Sequence, residues 1–147
     1  MKRLLLALLL TLCGTVNAQD LYMVRSSLAF PEAMSLLQQT IKAEGYQVSR
    51  VQRVDIGLTR SGFKTDKYRI VFFGKLDEVR AVIDQYPELI PYLPLKIAIF
   101  AEGEETLLLS ASFQHLRPFY ESPTLRDRFD RWDTDISRIL ERVRNAE

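Results

Sequence analysis

Residues 95–113, LKIAIFAEGEETLLLSASF, decide the fold. Leu95, Ile97, Ile99 and Ala101 alternate with Lys96, Ala98 and Phe100, the two-residue period of a half-buried β-strand. After the turn Glu102-Gly103-Glu104-Glu105, the alternation resumes with Leu107, Leu109, Ala111 and Phe113 against Thr106, Leu108, Ser110 and Ser112. Two such runs across a short glycine-containing loop predict an antiparallel hairpin with one buried face.

Upstream, the run 66–73, DKYRIVFF, puts Tyr68, Ile70 and Phe72 on one face of a further strand and Lys67, Arg69 and Val71 on the other. A helix follows Gly74, with Leu76, Val79, Val82, Ile83 and Tyr86 on its apolar side, and ends at Pro87, which cannot continue the hydrogen-bond ladder. The three prolines of PELIPYLP predict a stiff connection built around one helical turn. Earlier still, Leu21–Ser27 reads as a strand, Pro31 opens a helix, and Ala33, Leu36, Leu37, Thr40 and Ile41 recur at helical spacing before a cap at Gly45. Residues 46–54 form a weakly alternating strand, after which Asp55 caps a short turn running through Gly57 to Gly62. Downstream of the hairpin, Ser122-Pro123 starts a long helix with Leu125, Phe129, Trp132, Ile136, Ile139 and Val143 on one stripe. Six arginines and six acids in 122–147 read as its solvated surface.

The expected fold is a single α+β domain of order β-α-β-β-α-β-β-α. It holds a mixed or antiparallel five-stranded sheet, helices mainly on one face, and a long C-terminal helix. Val71, Phe73, Ala98, Phe100 and Leu108 are expected on the second sheet face, too apolar a set for a fully wetted surface. That face is either covered by the last helix or free as a groove or subunit contact.

Residues 1–18, MKRLLLALLLTLCGTVNA, read as a secretory leader. Lys2 and Arg3 precede the apolar run Leu4–Leu12, and cleavage is expected after Ala18, before Gln19. The apolar run is too short for the roughly 20 residues of a membrane span, and bulky Leu12 before Cys13 is a poor lipoprotein signal. The expected product is a periplasmic or secreted domain, residues 19–147, with no stable membrane insertion once the leader is gone. It keeps 18 basic and 19 acidic groups and loses the single cysteine, so a disulfide framework is excluded and stability rests on packing. Near-neutral charge argues against a nucleic-acid partner.

The chain resembles the bacterial and archaeal family known as domain of unknown function 302. The likeness is carried by Gly45-Tyr46 and a strand into Val54-Asp55, the Gly62 turn into Tyr68-Arg69-Ile70-Val71-Phe72, and Tyr92-Leu93-Pro94 leading into Lys96-Ile97-Ala98-Ile99-Phe100. It spans roughly residues 21–143 and implies a compact α+β sandwich without implying an activity. Many members carry a cysteine after the proline preceding the penultimate strand, where this chain has Leu95. Many also have a Cys-Asn-Pro-like segment where it reads Phe73-Gly74-Lys75. A thiol or metal role for those family cysteines cannot operate here.

His115 is the only imidazole. A hydrolase or isomerase would use it with Tyr120 or Arg117, and a haem or metal carrier would pair it with Met23 or Met34. No second histidine or Cys-x-x-Cys-His signal supports a metal or haem, so no cofactor is expected. Ser110 and Ser112 lack a nucleophile elbow, and the glutamates at 102, 104 and 105 sit in a loop too short for calcium. Charge is unevenly placed: residues 50–69 hold six bases against two acids, residues 70–105 three against seven. Arg53, Lys67 and Arg69 are therefore candidate ligands for a small anion, or one side of a homodimer contact. Tyr92, His115, Arg117 and Tyr120, held near Pro94 and Pro118, are candidates for lining a small-molecule cleft. The reading that follows is an exported, non-catalytic binding or assembly module, holding a small anionic or apolar ligand or self-associating through the free sheet face.

Overall fold

The computed structural model describes residues 21–146, so the expected leader, its expected cleavage point and the last residue lie outside the described part. Five strands, β1 (Leu21–Ser26), β2 (Gln47–Arg53), β3 (Tyr68–Gly74), β4 (Leu95–Glu102) and β5 (Glu105–Ala111), form one sheet in the order β1-β5-β4-β3-β2. Every neighbouring pair is antiparallel. Helices α1 (Phe30–Ala43), α2 (Val54–Arg60), α3 (Leu76–Gln85) and α4 (Pro123–Arg144) complete the fold, with 3-10 turns at Pro87–Tyr92 and Gln114–Phe119. The expected α+β architecture, single-sided helix layer and long final helix are all present. The segment read as a capped turn is instead the short helix α2, and Asp55 lies in its first turn, where its carboxylate accepts from Arg69.

Local chemistry explains the element ends. Pro31 occupies the first turn of α1, where a missing N–H leaves no bond unmade, and Gly45 follows the helix at φ +80°, a region costly for residues with a Cβ. Gly103 turns the β4–β5 hairpin at φ +65°. The Ser122 side chain caps α4 by accepting from the Leu125 N–H at 3.3 Å.

The core lies on one side of the sheet. Val24, Val71, Phe73, Leu95, Ile97, Ile99 and Leu108 point into it and meet Leu37 and Ile41 of α1 and Phe129, Trp132, Ile136 and Ile139 of α4. Helices α1 and α4 also pack on each other. Helix α3 joins the same layer, since Glu78 accepts from the Trp132 indole N–H at 3.3 Å and pairs with Arg131.

Two strands face the opposite way from the sequence expectation. Val71, Phe73 and Leu108, expected on the free face, are core residues, while Tyr68, Ile70, Phe72, Leu107 and Leu109 lie on the free face with Ala98 and Phe100. In β5 and just beyond it, polar groups that find partners when turned inward favour the observed facing, as Ser26 does on the neighbouring β1. Ser26 Oγ donates to the Val143 carbonyl at 2.9 Å and Thr106 Oγ1 to the Leu28 carbonyl at 2.9 Å. Ser110 Oγ donates to the Lys96 carbonyl at 2.8 Å, and Ser112 Oγ to Asp133 at 2.9 Å. A buried hydroxyl with a partner carries little penalty, so these positions take the inward face and their apolar neighbours turn outward.

Asp133 and Asp135, on the helix expected to keep its acids in solvent, are buried. Asp133 accepts from the Phe113 N–H at 2.8 Å, from Ser112 and from Gln114. Asp135 accepts from the Tyr46 hydroxyl at 2.5 Å, and burial followed by that bond raises the phenol's pKa.

The inverted strands give a direct test in dilute protein. Val71→Thr puts an unpartnered hydroxyl in the core and costs about 1–3 kcal/mol in urea unfolding, whereas Ile70→Thr, one residue away on the free face, costs under about 1 kcal/mol. Asp133→Ala strands the Phe113 N–H and lowers stability by about 3 kcal/mol, with Asp133→Asn recovering part of it.

Candidate functional site

The sequence offered three candidate surfaces: the free sheet face, the basic segment 50–69, and the aromatic loops around His115. They centre on different parts of the molecule and meet at their edges, where Lys96 and Ala111 of the free face also line the pocket at His115.

On the free face, strand pairing stacks side chains in rows. Met23, Leu109, Ala98, Ile70 and Gln52 form the middle row, because Met23 pairs with Leu109, Leu109 with Ala98, Ala98 with Ile70 and Ile70 with Gln52. Arg25, Leu107, Phe100 and Tyr68 form the row toward the hairpin, and Leu21, Ala111, Lys96, Phe72 and Arg50 the row at the far end. Tyr68 and Phe100 touch edge to face at 5.8 Å. Met23 is 54% exposed and Leu21 48%, Tyr68, Ile70, Phe72, Ala98, Phe100 and Leu109 are half-buried, and none of these packs against the core. Glu102 and Glu105 rim the hairpin end, where Arg25 reaches from β1 to pair with Glu102 on β4, while Lys96 and Arg50 rim the other end. The sequence pointed to a free apolar face but supplied only Ala98 and Phe100 of its members correctly.

The basic candidates lie on the helix side of the sheet. Arg53 and Arg69 are direct partners on β2 and β3, and both Arg69 and Lys67 stand over the Phe30 ring, at 5.8 and 5.9 Å. Arg69 is bound to Asp55 in a largely buried ion pair, and its guanidinium also donates to the Tyr68 carbonyl at 2.9 Å. The Arg69 hydrogen bond, with its charge and that of Arg53, holds the Asp55 carboxyl below the usual carboxylate range. Lys67 lines a depression of about 360 Å3 with Arg60, but Asp55 and Asp66 line it too. Arg50 sits on the opposite face. The cationic excess of the segment therefore does not converge on one cavity.

The four aromatic-loop candidates separate into a pair and two isolated groups. Tyr92 and His115 lie with ring centroids 6.0 Å apart. With Lys96, Ser110, Ala111, Ser112 and Phe113 they line a pocket of about 30 Å3 where the β5 end meets the two 3-10 turns. His115 Nδ1 is buried there without a hydrogen-bond partner. Tyr120 instead caps the end of the core, edge to face with Tyr86 at 5.8 Å and Phe129 at 5.7 Å. Arg117 is paired with Asp130, which is held below its ordinary pKa by hydrogen bonds from Gln114 and Arg117. The pocket's Lys96, Ser110 and Ser112 were not expected to line it, since only the fold brings the β4 start beside the β5 end. Among the described residues, no group of three or more His, Cys, Asp or Glu could hold a metal ion, and no helix is long and apolar enough to cross a membrane.

An antiparallel sheet roofed on one side and apolar on the other defines an open-faced α+β domain. The family model for the domain of unknown function DUF302 matches residues 22–143, and the chain belongs to that family. The fold is similar to the crystal structure of an uncharacterised conserved DUF302 protein from Bacillus stearothermophilus. That likeness has a TM-score of 0.75 at 21% identity and covers 86% of this chain and all of the other. No curated protein matches the chain.

The Asp55–Arg69 pair makes stability depend on acid. Asp55 has a lower pKa folded than unfolded, so the pair contributes fully above the ordinary carboxylate pKa of about 4 and is lost as pH falls through the lower folded value. Asp55→Asn is expected to be less stable than the parent near pH 7, with the gap closing between about pH 5 and pH 2 in urea titrations.

Proposed function

We propose that this DUF302 protein is an exported, non-catalytic binding or assembly module whose working surface is the free face of the sheet. The inverted polarity of β3 and β5 carries this reading. Hydroxyls and Arg69 point toward the helices, while Ile70, Phe72, Phe100 and Leu109 point away from them and stay partly exposed. Apolar area left in water forgoes about 25 cal/mol per Å2 that a contact would recover. Contiguous apolar patches rimmed by charge commonly mark interaction sites. Export rests on the leader-like residues 1–18 and places the domain in the periplasm or outside the cell.

The anionic-ligand part of the reading rests on Arg53 and Lys67, since Arg69 already has a carboxylate partner. A second reading attaches to the His115 pocket, favoured by the buried Nδ1 without a partner. Its volume of about 30 Å3 admits a water-sized group. Small-molecule sites of about 300 Å3 or more are far larger. The pocket therefore suits an ordered water, or the tip of a larger group entering beside Lys96, better than a substrate of hydrolase or isomerase chemistry.

Hydroxyl-radical footprinting tests the main reading. In dilute purified protein Met23, Tyr68, Phe72 and Phe100 are expected to be oxidised. In cells that produce the protein the same four are expected to be oxidised several-fold less, while Phe119, 79% exposed outside the sheet, changes little. Equal oxidation of the four residues in both settings rejects a working contact on this face.

A further inference from the structure

Resting on that reading of the free face, we infer that its occupant is a second copy of this chain, stacked face to face about a two-fold axis running across the strands. The layout of charge points to this partner. Glu102 and Glu105 share a single Arg25 at the hairpin end, leaving that rim net negative, while Lys96 and Arg50 make the opposite rim positive. Between the rims the rows hold only uncharged side chains, from Met23 and Leu107 across to Tyr68, Ile70 and Gln52.

A face with opposite charges at its two ends is complementary to itself in one orientation. The central strand β4 lies over its own copy whether the two-fold runs along the strands or across them. An axis along the strands superposes Glu102 on Glu102 and Lys96 on Lys96, and like charges facing each other oppose association. An axis across the strands reverses the second sheet, so Glu102 of one copy faces Lys96 of the other, twice by symmetry, and Phe100 meets Ala98 at the centre. Aligned sheets pack in this manner at roughly 30° with about 10 Å between them.

Size fits as well. Five strands by about six residues give a face of roughly 480 Å2 in projection. Two such faces together come to about the 1,000 Å2 that a specific interface needs. An anionic macromolecule would meet Glu102 and Glu105 at one rim and a cationic one would meet Lys96 and Arg50 at the other, so neither matches the whole face as this chain does.

Sedimentation equilibrium on the full protein isolated from producing cells tests the inference. The parent is expected to dimerise, and Phe100→Asp to abolish the dimer without lowering the unfolding midpoint of dilute protein. Lys96→Glu and Glu102→Lys are each expected to weaken dimerisation about tenfold or more, and the double variant K96E/E102K to restore it. A dimer indifferent to the single charge reversals overturns the axis, and a dimer indifferent to Phe100→Asp overturns the surface. A parent that stays monomeric up to about millimolar concentration overturns the second copy. If Met23, Tyr68, Phe72 and Phe100 are nonetheless protected in cells, the contact reading stands with a different occupant. If they are not, both fall.

Discussion

The position of α4 governs the rest of the molecule. This helix is fixed to the sheet at two polar points, by Asp133 accepting from Ser112 and from the Phe113 N–H just after β5, and by Val143 accepting from Ser26 at the end of β1. Buried hydrogen bonds of this kind, charge-assisted at Asp133, are directional, so they set the crossing of the helix over β1 and β5 as apolar contact alone would not. Tyr46 adds a third tie by donating to Asp135, and its ring packs edge to face on Phe73 of β3 at 5.5 Å. With α4 held there and α1 packed beside it, the helix layer is complete on one side, and among the described residues no helix covers the other side of the sheet.

This arrangement explains which parts of the chain were legible in sequence. Leu95, Ile97 and Ile99 announce their inward face because charged Lys96 occupies the alternate position. In β5 the signal fails, since Leu107, Leu108 and Leu109 are apolar at both parities and the tie falls to Ser110 and Ser112, polar residues that nonetheless point inward. Hydropathy scores a serine as if its hydroxyl had no partner, and here each finds one. In β3 the same role belongs to Arg69, which turns toward the helices because Asp55 meets it there, leaving Tyr68, Ile70 and Phe72 outward. The order of elements and the stripe of α4 were readable because they depend on local period. Strand parity was misread where long-range hydrogen bonds outweigh that period.

The candidate sites divide along the same line. Tyr92 and His115 are 23 positions apart in the chain, yet they meet because a proline-stiffened turn and a second 3-10 turn close on the same corner of the sheet. Arg117 and Tyr120 are nearer to His115 in sequence, but each is engaged elsewhere, one with Asp130 and the other with Tyr86 and Phe129. Proximity along the chain was a poor guide because a 3-10 turn directs successive side chains to different sides.

The dispersal of the basic segment follows from strand geometry. Arg50 and Arg53 both follow the bulge at Ser49 and stand three residues apart on β2, so alternation sends one to the free face and the other to the helix side. Charge that looks concentrated along the sequence is thereby split between two surfaces. On the helix side it meets Asp55 and stabilises the junction of α2 with β3. On the free face Arg50 joins Lys96 to form one charged rim of an otherwise neutral surface, opposite the acidic rim at the hairpin. A rim of this kind adds little affinity in solvent, but it discriminates between orientations of whatever the apolar centre contacts. Affinity on this face is therefore a matter for Phe100, Ile70 and their neighbours, and orientation a matter for the rim.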